Sequence, residues 1–399
     1  MSKLEDLINK LCPEGVEYKT LNEVTKWDKR FNNINNNFYK SFNHVSAAKL
    51  KDLKNDKGTV KLLSTGNFDG VALKEDAMEY LNNDEIFTIP SGGAANIKYF
   101  KGEFVDSGNI IGTSLNSDLY NTKYIYYFLE NNNEIIQSFF RGSGVKHPDM
   151  SAILNIKIAV PPLEVQCEIV HILDDFTLLS AELSAELKAR KKQYDYYKDE
   201  LLVFDRNDTK ISWISLGECC KRLKGTAITA GQMKKIACEG GEVRIFAGGK
   251  TVVDTTPENI NQGDIITVPN IIVQSRGIID FIYYEKPCSF KREMWSYTND
   301  NKVTLKYIYY YLKKNVEFFR KRGSQMGSMP QISLDVTEKY MIPIPSIAEQ
   351  ERVVNILEKF DELCNNISYG LPAEIEKRQK QYEYYRDKLL SFKEVEVNE

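Results

Sequence analysis

The chain of 399 residues has no C-x-x-C pair among its seven cysteines (12, 167, 219, 220, 238, 288 and 364), and only three histidines, His44, His147 and His171. Zinc sites are usually assembled from close-spaced ligands of these types, so no metal centre is expected and the thiols read as reduced and structural. No run comes near the ~18 uninterrupted apolar residues of a membrane span. The opening stretch, MSKLEDLINKLCPEGVEY, mixes acids and bases without a continuous apolar segment. Neither a signal nor a transit peptide is expected there, and the cytoplasm is the default location. Charge of one sign is also lacking: 53 Lys and Arg stand against 56 Asp and Glu, a net −3. Any nucleic-acid binding must therefore rest on local basic patches, since the global field is nearly neutral.

Catalytic motifs are missing as well. An amino-methyltransferase would carry a [DN]-P-P-[YF] motif, yet the only Pro-Pro, in AVPPLE, has Val160 before it and Leu163 after it. FAGGKT (246–251) ends like a phosphate-binding loop, but the first glycine of G-x-x-x-x-G-K-[ST] falls on Arg244, and VVD follows where a helix should open. PDMSAILNIK (148–157) has Asn155 where a nuclease metal motif would place its second carboxylate. No nucleophile, base or metal constellation stands out, so a stand-alone enzyme ranks last among the readings.

Repetition is what the chain does have. KKQYDYYKDELLVF (191–204) returns as KRQKQYEYYRDKLLSF (377–392), with Gln193 on Gln381 at an offset of 188. Upstream, PPLEVQCEIVHILDDF (161–176) pairs with PSIAEQERVVNILEKF (345–360) at 184. KYIYYFL (123–129) pairs with KYIYYYL (306–312), RGSG at 141 with RGSQ at 322, and EIFTIPS (85–91) resembles DIITVPN (264–270). The period is a whole domain plus a long helix, too long for a solenoid. The tails agree closely while the middles differ: a scaffold kept and its interior varied.

The tails carry a heptad seam. From Ile169, steps of four and three visit Leu173, Phe176, Ser180, Leu183, Leu187, Arg190, Tyr194, Tyr197, Leu201 and Phe204, and nine of the eleven are apolar or aromatic. Such a helix is roughly 60 Å long, too long to be buried in one small domain. The second copy follows Val353, Leu357, Phe360, Cys364 and Ile367, then resumes at Ile375, Arg378, Tyr382, Tyr385, Leu389 and Phe392. The change of offset places four extra residues around YGLP (369–372), where a stutter and Pro372 predict a kink or break. The spacing is equally compatible with dimerisation between chains; antiparallel pairing within the chain is favoured because both partners lie on one polypeptide.

In this order of segments the chain closely resembles, over essentially its whole length, the specificity subunits of type I restriction-modification systems; the two tail segments are the most specific part of the likeness. The resemblance implies an α+β fold: two globular target-recognition domains in a tandem pseudo-symmetric repeat, separated by two long helices that form an intramolecular antiparallel coiled coil. The expected divisions are a first recognition domain at 1–160, a first coiled-coil helix at 161–204, a second recognition domain at 205–344 and a second helix at 345–399. It further implies a non-catalytic chain that binds double-stranded DNA. Each domain would read half of an asymmetric bipartite target, with the helices setting the spacer and docking two modification (methyltransferase) subunits; restriction subunits would be further partners. No cofactor is expected on this chain: S-adenosylmethionine would belong to the methyltransferase, and ATP and Mg to the restriction subunit. The alternative is a coiled-coil adaptor whose domains bind peptide or RNA.

Sequence readout needs side chains that donate and accept at base edges, held on loops beside cations that neutralise phosphates. In the first domain, STGNFDG (64–70), PSGGAAN (90–96) and FRGSGVKHPD (140–149) supply Thr65, Asn67, Ser91, Gly92, Asn96, Arg141, Ser143, Lys146 and His147 as candidates. In the second, CCKRLKG (219–225), AGGK (247–250), PNIIVQSRG (269–277) and FFRKRGSQMGS (318–328) supply Lys224, Lys250, Asn270, Gln274, Arg276, Lys321, Arg322, Ser324 and Gln325. Tyr194, Tyr197, Tyr382 and Tyr385 fall on the seam. Tyr196 and Tyr384 point off it and are assigned to a partner surface as aromatic anchors.

Overall fold

The computed structural model describes residues 3–28, 39–249, 251–326, 329–366 and 368–395. It divides into two compact units, Met1–Glu182 with Ile375–Glu399, and Leu183–Glu374. The division does not follow blocks laid end to end along the chain: each unit takes a stretch of both tails with it. Among the described residues no helix is long and apolar enough to cross a membrane.

Unit 1 is built on a mixed sheet of seven strands in the order Tyr39–Lys40, Thr25–Asp28, Asn109–Ser114, Asn82–Pro90, Lys98–Ser107, Val60–Ser64 and Val71–Ala72. Asn109–Ser114 is buried along its whole length, and its Gly112 admits a close ring contact. A Cβ there would lie 2.5 Å from Phe87, so only glycine lets the Trp27 and Phe87 rings meet edge to face at 5.3 Å above it. The helix Thr122–Asn131 starts where the Asn121 side chain accepts from the Lys123 and Tyr124 amides. It buries Tyr124, Ile125, Phe128 and Leu129 on one side, and the Tyr124 hydroxyl donates to the Ala159 carbonyl at 3.0 Å.

One polar cluster sits inside this unit. The His44 ring lies between two buried carboxylates, with Nδ1 2.9 Å from Asp106 and Nε2 against Asp28. Asp106 also accepts from the Asn109 amide at 3.1 Å and its side-chain nitrogen at 2.6 Å. Burial opposes the charged ring, but the hydrogen bonds to Asp106 and Asp28 overcome it and push the pKa up to about 9.

Unit 2 repeats the plan with a smaller sheet: Lys221–Lys224, Trp295–Thr298, Asn270–Gln274 and Asp280–Tyr284, beside a three-stranded sheet of Val252–Thr255, Val243–Phe246 and Cys288–Phe290. The helix Lys302–Lys314 takes the place of Thr122–Asn131, and Tyr307 donates to the Pro343 carbonyl at 2.9 Å as Tyr124 does to Ala159. By strand pairing, Asn82–Pro90 corresponds to Asn270–Gln274, since each lies between the strand leading to this helix and its own hairpin partner. The likeness of EIFTIPS to DIITVPN is therefore displaced: IPS (89–91) answers VQS (273–275).

The first tail is one helix, Leu163–Leu201; the second is two, Ile347–Asn365 and Leu371–Leu389. The expected break falls at YGLP. Gly370 donates to the Asn366 carbonyl at 3.0 Å, and a Cβ on it would strike the Glu362 carbonyl at 2.5 Å. Pro372 then sits in the first turn of the next helix, where its missing N–H costs nothing.

In unit 1 the Phe176 ring packs on Tyr382 and Tyr385 at 6.4 and 5.6 Å. In unit 2 the Phe360 ring packs on Tyr194 and Tyr197 at 6.0 and 5.5 Å. Each pairing thus joins the early part of one tail copy to the late part of the other. Both run antiparallel: Ile172 lines a groove with Leu389 and Ala181 one with Gln379, while Cys364 neighbours Arg190 and Lys191. Tyr382 also donates to Glu130 at 3.0 Å, and Arg386 to Asn131 at 2.7 Å, which ties the tail to the recognition fold. Beyond the helix, Leu390 and Phe392 pack into the unit 1 core, and Tyr18 donates to the Phe392 carbonyl at 2.9 Å. Val16 exchanges backbone bonds with Lys393 and Val395, at 2.9 and 3.1 Å.

Candidate nucleic-acid interface

The three candidate loops of unit 1 converge because hydrogen bonds draw them together. Between strands Asn82–Pro90 and Lys98–Ser107 the chain turns through Gly93, whose φ of +103° suits glycine. The Gly93 amide donates to the Lys146 carbonyl at 2.8 Å, and His147 Nδ1 lies 2.6 Å from the Ser91 carbonyl. Gly92 leaves room for this approach, since a Cβ there would meet Val145 at 2.9 Å. The hairpin bearing Arg141, Ser143, Lys146 and His147 is thereby clasped to the turn bearing Ser91 and Gly92, and all four of those hairpin side chains are exposed. The third loop joins through Asn96 and Lys98. Asn96 Nδ2 donates to the Thr65 and Gly66 carbonyls at 3.3 and 3.2 Å, and Lys98 Nζ to those of Ser64 and Gly66 at 2.6 Å each. Thr65 is half-buried and Asn67 stands exposed at the loop tip.

Unit 2 repeats this clasp. Gly277, with φ +75°, donates to the Pro330 carbonyl at 2.9 Å, and Ile332 donates to the Ser275 carbonyl at 3.0 Å. The exposed Arg276 lies on this turn, bridged through its backbone to Gln331. Lys321 and Arg322 are exposed at the end of the helix Val316–Arg322, with the Arg322 guanidinium 4.4 Å from the centre of the Phe318 ring. Ser324 and Gln325 follow in the hairpin strand Ser324–Met326, paired with Gln331 and Pro330. Lys224 is exposed and shares a row with Trp295 and Val273, so it stands at the same sheet end as the Arg276 turn. Lys250 lies outside the described residues.

Two candidates must be withdrawn and one reassigned. Asn270 is fully buried, its side-chain nitrogen donating to Val268 and Tyr284 carbonyls at 3.1 and 3.4 Å. Gln274 is buried too and donates to the Gly249 carbonyl at 2.5 Å. Neither can reach a base edge, because both lie on a strand covered on its two faces. Asn96 spends its amide donors on the neighbouring loop instead of facing outward.

Two residues were missed. Arg292 is exposed beside Glu293, whose carbonyl takes the Ser275 hydroxyl at 2.9 Å, so it flanks the Arg276 turn; the basic pair in FKREM was the available signal. Lys98 was missed because it looks like an ordinary strand residue. Its pKa is lowered by burial, an ammonium held by carbonyls rather than by a carboxylate.

On the tails, Tyr196 and Tyr384 are 59% and 63% exposed. Each meets the following tyrosine edge to face, at 5.6 Å for Tyr196–Tyr197 and 5.3 Å for Tyr384–Tyr385. Arg190 donates to Gln193 and Arg378 to Gln381, both at 3.0 Å, so the two faces are built alike.

The family model described as type I restriction modification DNA specificity domain matches residues 13–190 and again 213–377. The EcoR124I/EcoR124II type I restriction enzyme specificity subunit of Escherichia coli is 36% identical, over 69% of this chain and 72% of its own. A putative type I restriction enzyme specificity subunit of Haemophilus influenzae is 29% identical, over 94% of this chain and 96% of its own. The crystal structure of a type I restriction-modification S subunit from M. genitalium shares the fold with a TM-score of 0.63 at 17% identity, covering 94% of this chain and 95% of that one. With these relatives the adaptor alternative lapses. A clasped-loop scaffold that occurs twice, matched twice by the same family model, places this chain in the family of type I restriction-modification DNA specificity subunits, which recognise sequence and leave catalysis to others.

Proposed function

We propose that unit 1 and unit 2 each read one half of an asymmetric bipartite duplex target, separated by unread base pairs whose number the tail helices set. The carrying observation is that both units hold a glycine turn against a hairpin in the same way while presenting different side chains: Ser91, Arg141, Lys146 and His147 in one, and Arg276, Arg292, Lys321 and Arg322 in the other. Equal scaffolds with unequal tips suit two unlike half-sites. Two equivalent faces centred on Tyr196 and Tyr384 support the docking of two methyltransferase subunits. S-adenosylmethionine, ATP and Mg would then be used by partner subunits, with the whole assembly acting on DNA in the cytoplasm.

Long-read mapping of modified adenines in cells that express the complete system is expected to return a two-part motif with unlike halves. A continuous or palindromic motif would refute the reading. Duplex binding should also weaken steeply with salt, by about a thousandfold or more between about 50 and about 200 mM if six or so phosphates are neutralised. Arg276→Ala should lower the slope of log affinity against log salt by about one if Arg276 contacts phosphate; an unchanged slope together with a changed motif would mean that it contacts a base.

A further inference from the structure

We infer that Asn96 and Lys98 act as a positioning clamp that sets the shape of the 64–70 loop, and through it the base preference of the half-site read by unit 1. The inference rests on the reading of unit 1 as a half-site reader. Three donors converge on the single carbonyl of Gly66: Lys98 Nζ at 2.6 Å, Asn96 Nδ2 at 3.2 Å and Ser64 Oγ at 3.2 Å. Asn96 and Lys98 also hold the preceding carbonyls of Thr65 and Ser64. The loop therefore hangs from the turn that carries Ser91 and Gly92. Behind it, Gly108 (φ +81°) leaves room for the loop, since a Cβ there would lie 3.3 Å from the Thr65 methyl.

Neither clamp side chain is free to read a base. Asn96 gives its amide to the Thr65 and Gly66 carbonyls, and the half-buried Lys98 ammonium is occupied by those of Ser64 and Gly66. Their influence on sequence must pass through the position of Thr65, Gly66 and Asn67. A loop displaced by about an ångström loses hydrogen-bond geometry at a base edge, and such a bond discriminates between bases by roughly tenfold or more. Unit 2 contains a counterpart made from other atoms, in which Gln274 holds the Gly249 carbonyl at 2.5 Å. Its independence gives the experiment an internal control.

The full chain, assembled with its modification subunits, would be tested as wild type, Lys98→Met, Lys98→Arg and Asn96→Ala against a duplex library randomised across both half-sites. Lys98→Met and Asn96→Ala should relax one half, with the preferred base losing about tenfold of its lead at one or two positions, while the other half stays unchanged. The affected half should be the one that Arg141→Ala alters. Lys98→Arg keeps the donors and should restore most of the preference, which a role in folding alone would not explain. An unchanged motif in both variants overturns the clamp and leaves the bipartite reading standing. A flat loss of affinity across all sequences, with a lower salt slope, also overturns it by making Lys98 a phosphate contact. A wild-type complex without any two-part preference would instead bring down the half-site reading itself.

Discussion

Replacing His44 by alanine should cost unit 1 about 3–5 kcal/mol, because it leaves Asp28 and Asp106 buried without the cation that lies between them. The pH dependence identifies the cause. The folded pKa of His44, about 9, lies above the ordinary value of 6.5. Its contribution is therefore complete below pH 6.5 and disappears as pH rises through 9. The loss amounts to on the order of 3 kcal/mol over that window. The buried tyrosines and Cys288 have pKa values that are also raised, but from ordinary values of 10 and 9, so their effects begin above it. Urea unfolding between pH 6 and 9, followed by Trp27 fluorescence with the other tryptophans replaced, should show this decline in the wild type and none in His44→Ala. An identical decline in the variant would show that His44 is not its source.

Ending the chain after Leu389 should unfold unit 1 while unit 2 keeps its structure. The segment beyond holds the buried Leu390, Phe392 packed against the same core, and the backbone bonds of Lys393 and Val395 to Val16. Loss of the two apolar side chains alone is worth on the order of 5 kcal/mol, comparable with the whole stability of a domain. Limited proteolysis should reduce the truncated protein to a resistant fragment near Leu183–Glu374. The double variant Leu390→Ala, Phe392→Ala should move unit 1 in the same direction without shortening the chain. Survival of unit 1 in both would show that the segment merely decorates it.

How much of this could be read in advance depended on the physics of each segment. The tails were legible because a heptad seam of Tyr, Phe and Leu calls for a long helix packed on another, and Phe176 and Phe360 meet tyrosines that the spacing had marked. The break was legible because proline and glycine act locally. The direction of pairing did not come from the heptad pattern, which says only that helices pair; it came from both partners lying on one polypeptide, and antiparallel pairing brings each early half onto the other copy's late half. Among the candidate reader residues, the exposure of the hairpin cations was legible because they stand among glycines in evident loops. Asn270 and Gln274 misled because a polar residue in a strand buried on both faces looks, in one dimension, like a loop residue. His44 carried no motif at all; its partners lie 16 and 62 positions away.

That unit 1 is assembled from both ends of the chain bears on its birth at the ribosome. Leu183–Glu374 is contiguous and can close as soon as it emerges, whereas the earlier-made unit must wait for residues 375–395 to leave the exit tunnel. The half synthesised first is thus the half completed last, and an incomplete translation product would carry a finished second reader beside an unfinished first one.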